Sequence, residues 1–193
     1  RNSLGNAFAV TFFIKRKCFI ISHIDDIILK TRLGNNNLLC QDCLMMKNGL
    51  MDDLLAAARD AAEAGDVPVA AAIIAPDGTL VALESNRMTR DGNALHHAEI
   101  LAINAAMAKT GKARLDGYDL WVTLEPCAMC AGAIAHARLR RVYFGAYDVK
   151  AGAVESGIRY FDHPSCNHHP EIYGGLSEQT ASAMLSDFFA AKR

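Results

Sequence analysis

Residues 118–137, YDLWVTLEPCAMCAGAIAHA, join an apolar segment to an alanine-rich segment through a Glu-Pro-Cys turn. The first part, from Tyr118 to Leu124, predicts a β-strand because it is short, apolar and rich in β-formers. The second part predicts a helix over Cys127 to Ala137. Pro126 suits the first position of that helix, since proline lacks an N–H and has a helical φ. This strand–turn–helix unit points to an α/β fold.

The segments on either side continue the alternation of strands and helices. Asp52 or Asp53 can cap a helix that runs to about Ala64, with Gly65 after its end. A turn at Pro76-Asp77-Gly78 separates two predicted strands. The other predicted elements are strands within Val67–Ala75, over Thr79–Glu84 and over Arg141–Gly145, and helices over His97–Lys109 and Ser177–Ala191. Together they predict βαβ units in an α/β domain.

The composition divides the chain into two parts. The chain has 193 residues and a formal net charge of −1 at pH 7, which excludes a broadly basic protein that coats DNA. Residues 1–48 are rich in Ile, Phe, Asn and Lys, and we expect an extension there, either disordered or left by cloning or upstream translation. A targeting or accessory segment is the alternative. Residues 49–193 are expected to form the functional domain.

No segment of the sequence predicts a membrane partner. The apolar run from Ala7 to Ile14 is followed by three basic residues and is far shorter than the roughly 20 residues of a membrane span. A signal peptide is not indicated either, because no small-residue cleavage site follows. The six cysteines lack the spacing of a disulfide framework, so thiolates in a reducing compartment are expected.

Two short motifs carry the chemistry. His97 lies in His97-Ala98-Glu99, and two thiols lie in Pro126-Cys127-Ala128-Met129-Cys130. One imidazole and two thiols are good zinc ligands, and they leave the fourth position of a tetrahedral site for water, as in catalytic sites. A structural site would need a fourth protein ligand, for which the candidates are Cys166, His168 and His169.

Glu99 stands beside this predicted metal site. Zinc lowers the pKa of a bound water to around 7, and a nearby carboxylate can take the proton and deliver it elsewhere. Hydrolytic deamination of a nucleobase needs protons at a ring nitrogen and at the exocyclic amine. His-x-Glu followed by Pro-Cys-x-x-Cys is the signature of the zinc-dependent deaminases.

From Met51 to Arg193 the chain resembles the bacterial tRNA-specific adenosine deaminases, of the cytidine deaminase-like superfamily. Beyond the metal motifs, the similarity covers Val67-Pro68-Val69, Asn86, Thr123–Cys127, Arg141–Gly145, Asp148 with Lys150 and Gly152, Asn167-His168 and Leu185–Phe189. The resemblance implies a three-layer α/β/α fold with a central mixed sheet of about five strands. It also implies a cytoplasmic homodimer with one Zn²⁺ per subunit.

The resemblance implies a role for each matched site residue. His97, Cys127 and Cys130 would bind zinc, and Glu99 would move protons. The nucleotide would be bound by Asn86, the backbone of Ala98, and Asp148. The implied reaction converts adenosine to inosine at the wobble position of a tRNA anticodon loop, with an arginine tRNA as the expected substrate.

Two departures from the family pattern concern the pocket. Leu95-His96 stands where many members have Thr-Ala, and Ala70 stands where a glycine often follows Val-Pro-Val. Deamination of a free nucleobase or nucleoside, such as guanine or cytosine, is therefore an alternative. A non-catalytic RNA-binding or structural zinc module is a further alternative.

RNA is favoured by two features that also have ordinary structural interpretations. One feature is a set of basic residues that could contact phosphates or be solvated ends of helices and strands. These residues are His136, Arg138, Arg140 and Arg141, together with Arg87 and Arg90. Phe188 and Phe189 could stack on bases or pack in the core. Cys40 and Cys43 form a weaker candidate for a second metal site.

Overall fold

A computed structural model describes residues 37–192 of the chain, with side chains from Gly49 onward. This part contains four helices and five strands, with one turn of 3-10 helix at Tyr160–Asp162. In chain order the elements are α1 (Asn37–Glu63), β1 (Ala70–Ile74), β2 (Leu80–Ser85), α2 (Ala98–Thr110), β3 (Asp119–Leu124), α3 (Ala128–Ala137), β4 (Arg141–Ala146), β5 (Glu171–Tyr173) and α4 (Glu178–Ala190).

The strands form one mixed sheet in the order β2-β1-β3-β4-β5. Strand β1 is antiparallel to both of its neighbours, whereas β3, β4 and β5 are parallel. The predicted βαβ unit is therefore present as β3-α3-β4. Because ligands of open α/β sheets bind beyond the carboxyl ends of the strands, the turn after β3 is a favourable place for a site.

Both faces of the sheet are buried, which makes the domain three-layered as predicted. Along β1, Ala71 and Ile73 pack into one core with α2 and α3, while Ala70 and Ala72 pack into the other with α1 and α4. Side chains of a strand point to alternate faces, so an uninterrupted apolar run such as Ala70–Ile74 suits a strand covered on both sides. The second core includes stacked rings from adjacent strands, with centroid distances of 4.3 Å for Trp121–Tyr143 and 4.8 Å for Tyr143–Tyr173.

Helix α1 begins earlier than the sequence predicts. Asp52 and Asp53 do not cap it but lie within it as exposed residues, and the helix starts at Asn37. A residue that can cap a helix does not fix where the helix begins when the preceding residues, here rich in Leu and Met, also favour helix. Its buried residues Met51, Leu54, Leu55 and Ala58 follow the spacing of an amphipathic helix.

Strand β5 is absent from the sequence-based prediction. It has only three residues, and its burial pattern is exposed at Glu171 and half-buried at the other two, so it lacks the apolar run that marks the inner strands. Its pairing with β4 is what brings the segment after the 3-10 turn back to the sheet.

The N-terminal part of the chain is described only in part. The chain divides into two units between Leu44 and Met45, and all five strands lie in the second unit, Met45–Arg193. Residues 1–36 of the predicted extension lie outside the described residues, so the expectation of disorder there stays a prediction. Among the described residues, no helix combines the length and apolar character that a membrane crossing requires.

Candidate metal centre and active site

The three residues predicted to bind metal come together in the structure. Nδ1 of His97 lies 3.5 Å from Sγ of Cys130 and 3.7 Å from Sγ of Cys127, and all three ligand atoms lie within 4.8 Å of one another. In a tetrahedral zinc site, with bonds of about 2.3 Å to sulfur and about 2.0 Å to nitrogen, ligand atoms are about 3.5–3.8 Å apart. The spacing and the donor set therefore fit one metal ion.

Each ligand is placed by the beginning of a helix. His97 is the N-cap of α2 and Cys127 is the N-cap of α3, both with extended backbone, and Cys130 is buried in the first turn of α3. The prediction that Pro126 occupies the first helical position is wrong. The Cys127 carbonyl accepts the Ala131 N–H at 2.8 Å, so the helix begins one residue after the cysteine.

The two thiols differ in their affinity for a proton. Hydrogen bonds from Cys130 and from His97 lower the pKa of Cys127 to about 4, although burial opposes this. The adjacent Cys127 sulfur and burial raise the pKa of Cys130. The hydrogen bond to Cys127 raises the pKa of His97. The protein alone thus favours one thiolate, and the charge of a divalent cation would favour the second.

Glu99 lies against this group of ligands. It is in the first turn of α2 and only 4% exposed. Burial raises the pKa of Glu99 and outweighs hydrogen bonds from its own backbone N–H and from Cys130, which act in the opposite direction. A carboxyl group with a raised pKa is suited to exchanging protons near neutral pH. Its role in catalysis stays a prediction.

Asn86 is tied to the beginning of α2. It is 5% exposed, and its Oδ1 accepts the backbone N–H of Ala98 at 2.8 Å. The bond satisfies one of the N–H groups that the first turn of a helix leaves without a partner. Asn86 therefore positions the segment that contains His97 and Glu99, and its contact with substrate stays a prediction.

Asp148 lies in the loop that follows β4, where its Oδ1 accepts the backbone N–H groups of Lys150 and Ala151, each at 3.0 Å. This loop approaches the beginning of α3, since Gly152 forms a bridge with Cys127 and the Ala153 N–H donates to the Pro126 carbonyl at 2.9 Å. The structure thus places Asp148 on a loop that packs against a ligand-bearing turn.

Glu125 is a buried residue of this region to which sequence reasoning assigned no role. It is 2% exposed and precedes Pro126 in the turn after β3. Burial alone would raise the pKa of Glu125, but hydrogen bonds from Ser156, Asp148 and Glu155 more than offset this, and the pKa is lowered. The available signal was an acidic residue directly at the end of an apolar strand.

Other ligand candidates have different partners. His168 Nε2 contacts the Leu139 carbonyl and His169 Nδ1 contacts the Phe161 carbonyl, both at 2.5 Å, while Cys166 Sγ donates to the His168 carbonyl at 3.0 Å. Within residues 49–192, His97, Cys127 and Cys130 form the one group able to hold a metal. The side chains of Cys40 and Cys43 lie outside the described residues.

Most of the basic residues that favoured RNA are engaged in ion pairs. Arg140 makes a bidentate pair with Asp119 at 2.7 and 2.9 Å, and Arg141 lies 2.9 Å from Glu171. Arg90 pairs with the buried Asp66 at 2.6 Å, and Arg87 lies near Glu84 and Asp91. The ion pairs therefore account for these four arginine side chains without RNA.

Other residues noted in the sequence have local partners. His96 Nδ1 lies 2.6 Å from Asp91 Oδ2. Ala70 is fully buried, and its N–H donates to Thr123 Oγ1 at 3.1 Å. Phe189 is 48% exposed and packs edge-on against Phe188, which itself lies under the Lys192 ammonium.

Comparison with known families and proteins agrees with this geometry. The family model of the MafB19-like deaminases matches residues 45–193. The tRNA-specific adenosine deaminase of Agrobacterium fabrum is 47% identical over 143 residues, which cover 74% of this chain and 93% of that protein. The match and the fold define a deaminase of the cytidine deaminase-like type.

Two solved structures are similar to the chain. One, from studies of A-to-I editing by tRNA:A34 deaminases, has a TM-score of 0.68 and 47% identity, and covers 70% of this chain and 97% of its own. The other, guanine deaminase from Nitrosomonas europaea, has a TM-score of 0.65 and 26% identity, with coverages of 74% and 84%. The chain belongs to the tRNA-specific adenosine deaminases, within the MafB19-like deaminase family.

Proposed function

We propose that the chain is a zinc-dependent hydrolytic deaminase that converts adenosine to inosine at the wobble position of a tRNA anticodon, with an arginine tRNA as substrate. The observation that carries this proposal is the group of two thiols and one imidazole beside the buried carboxyl of Glu99. The 47% identity with a tRNA-specific adenosine deaminase supports the substrate. A cytoplasmic homodimer with one zinc ion per subunit is part of the proposal, from the resemblance.

The residues of the site suit the chemistry of this reaction. His97, Cys127 and Cys130 would hold zinc, which when bound supplies Lewis acidity that activates water. Glu99 would take up the two protons of the attacking water one after the other, passing the first to the purine ring nitrogen and the second to the exocyclic amine, which leaves as ammonia. The raised pKa of Glu99 supports this exchange.

An anticodon loop is a suitable substrate because a deaminase cannot reach a base within a stacked duplex. Bases in a single-stranded loop can be splayed into a pocket at low energetic cost. We assign contacts with the nucleotide to Asn86, to the backbone of Ala98 and to Asp148. The position of all three beside the helix N-termini that carry the zinc ligands supports this assignment.

A free purine base is the second candidate substrate. The similarity to a guanine deaminase at 26% identity and a TM-score of 0.65 favours it. The zinc ligands do not discriminate between the two reactions, since the same activated water serves both. A non-catalytic zinc module is disfavoured because the site offers three protein ligands rather than four and buries a carboxyl group next to them.

The test is a deaminase assay on an anticodon stem-loop with the anticodon ACG. Zinc-loaded wild-type protein is expected to produce inosine, and Glu99→Ala to produce none while it still binds one equivalent of zinc. Glu63→Ala, at an exposed glutamate that ends α1, is the matched control and is expected to edit like wild type. Cys127→Ala is expected to lose the metal and the activity together.

Three results would contradict the proposal. Absence of inosine with the wild-type protein would exclude the tRNA anticodon as the substrate. Release of ammonia from guanine by the same preparation would then favour deamination of a free purine base. Loss of zinc from Glu99→Ala would show that Glu99 is a ligand. Editing by Glu99→Ala at the wild-type rate would mean that another group moves the protons.

A further inference from the structure

Glu125 makes an unusual number of hydrogen bonds for one buried side chain. Its carboxylate accepts five. Oε1 accepts the backbone N–H groups of Val154 at 3.1 Å, Glu155 at 2.8 Å and Ser156 at 2.7 Å. Oε2 accepts the backbone N–H of Asp148 at 3.1 Å and the hydroxyl of Ser156 at 2.7 Å. All five donors belong to the loop between β4 and the 3-10 turn.

This carboxylate joins the loop to the part of the chain that carries two metal ligands. Glu125 is followed directly by Pro126 and Cys127. The loop approaches so closely that a Cβ on Gly152 would lie 2.6 Å from Cδ of Glu125 and 2.4 Å from the Asp148 carbonyl oxygen. The glycine is therefore required by the close approach, and the carboxylate holds both ends of the loop against the turn.

We propose that Glu125 is a positioning residue that fixes Asp148 relative to the metal ligands, and that it thereby sets the affinity for the RNA substrate. The inference rests on the proposed function, in which Asp148 contacts the nucleotide. Glu125 itself does not touch the reacting atoms. Its effect is through the loop. The backbone N–H of Asp148 lies at one end of the loop and that of Ser156 at the other, and both donate to the Glu125 carboxylate.

The hydrogen-bond pattern indicates which substitution tests this. In Glu125→Gln, an amide nitrogen at the Oε1 position would face three N–H donors, so the favoured orientation puts the nitrogen at the Oε2 position. The Ser156 hydroxyl can rotate to donate elsewhere and accept from that nitrogen. The Asp148 N–H cannot, and it is left facing another donor. The substitution therefore releases Asp148 while Val154, Glu155 and Ser156 keep their backbone bonds.

The first experiment compares KM and kcat on the ACG stem-loop for zinc-loaded proteins. Glu125→Gln is expected to raise KM by about ten-fold or more, which corresponds to one lost hydrogen bond of about 1.4 kcal/mol, with kcat and bound zinc nearly unchanged. Ser156→Ala, which removes only the hydroxyl donor, is expected to raise KM by less. Glu63→Gln is the exposed control and is expected to change neither constant.

The second experiment reports on the loop without requiring activity. Amide hydrogen exchange in zinc-loaded protein is expected to become faster at residues 148–151 in Glu125→Gln and to be unchanged in Glu63→Gln. If the wild-type protein edits no RNA, the proposed function fails, and the exchange data still decide whether Glu125 holds the loop. Equal protection in both variants, a lower kcat at constant KM, or loss of zinc from Glu125→Gln would each overturn the inference.

Discussion

The beginning of α2 and the turn after β3 each bury a glutamate beside the same predicted metal ligands, and the pKa values of the two carboxyl groups are shifted in opposite directions. Glu99 is 4% exposed and Glu125 is 2% exposed. Burial raises the pKa of Glu99, whereas hydrogen bonds lower the pKa of Glu125 although burial acts to raise it there too. Burial alone therefore does not decide the role of either residue.

The difference lies in the hydrogen-bond donors around each carboxyl group. Glu125 receives five hydrogen bonds from one loop, and these stabilise its charged form. Glu99 instead faces the thiols, where desolvation dominates and the proton is held more tightly. Surroundings that separate the pKa values of two neighbouring carboxyl groups are frequent in active sites.

The largest effect that we expect is a difference in stability between the two matched Gln variants. In zinc-loaded protein, Glu125→Gln should lower the free energy of unfolding by about 3 kcal/mol, because the retained hydrogen bonds lose their charged acceptor and the Asp148 N–H is left facing another donor. Glu99→Gln should change it by less than about 1 kcal/mol, because an amide has nearly the same size and burial favours an uncharged group at this position. Urea unfolding of both variants measures the difference.

The comparison between the two glutamates would be wrong if both variants lost equal stability. It would also be wrong if Glu99→Gln were the less stable one. Glu63→Gln again provides an exposed reference, for which we expect no change beyond about 0.5 kcal/mol.

The sequence predicted the three candidate metal ligands that the structure brings together, but it assigned no role to Glu125. His97 is 30 and 33 residues away from Cys127 and Cys130, but these side chains lie in two short motifs at predicted helix beginnings, and the combination of the motifs was enough to predict the group that the structure brings together. The partners of Glu125 are 23 to 31 residues away in the chain and are mostly backbone N–H groups. No side-chain pattern encodes such contacts.

The fold likewise combines features that the sequence predicts with features that it does not. The βαβ unit and the four inner and N-terminal strands β1 to β4 were predicted from apolar runs and turn residues, whereas the mixed five-stranded sheet between helical layers was implied by the family resemblance. The short edge strand β5 was not predicted, because its three residues owe their structure to pairing with β4. The beginning of α1 and the position of Pro126 were predicted wrongly, since residues that can cap or begin a helix do not by themselves fix where it starts.

Asp66 extends the comparison to a carboxylate away from the metal group. It is fully buried, its Oδ2 lies 2.6 Å from Arg90 Nε, and its Oδ1 accepts the Thr89 N–H at 2.6 Å. Burial acts to raise the pKa of Asp66, but Arg90 and Thr89 together lower it below 3.8. Because the folded-state pKa is depressed, this stabilisation is present above pH 3.8 and is lost as the pH falls through the folded-state value.

We expect Asp66→Asn to lower the free energy of unfolding by about 2 kcal/mol at neutral pH, because an amide cannot satisfy the guanidinium as a carboxylate does. The difference from wild type should shrink as the pH falls below about 3.8, where Asp66 is protonated in the unfolded chain. Urea unfolding over a pH series measures this. Asp52→Asn, at an exposed position in α1, is the control. A difference that stays constant down to the lowest pH would contradict the assignment of a lowered pKa to Asp66.

The smallest expected change in stability is that of Asn86→Asp. This variant tests whether the beginning of α2 tolerates a conservative substitution better than the turn after β3 does. Asn86→Asp keeps an oxygen acceptor for the Ala98 N–H, which lies 2.8 Å away, and places a negative charge at a helix N-terminus, where charge of that sign is favourable. Unfolding free energy should therefore change by less than about 1 kcal/mol, whereas Asn86→Ala should lose about 1–3 kcal/mol by leaving a buried N–H without a partner. If Asn86 also contacts the nucleotide through its amide N–H₂ group, Asn86→Asp should raise KM for the ACG stem-loop despite its native stability. Wild-type KM and stability in Asn86→Asp would restrict the residue to supporting α2, and the nucleotide would then be held by other groups.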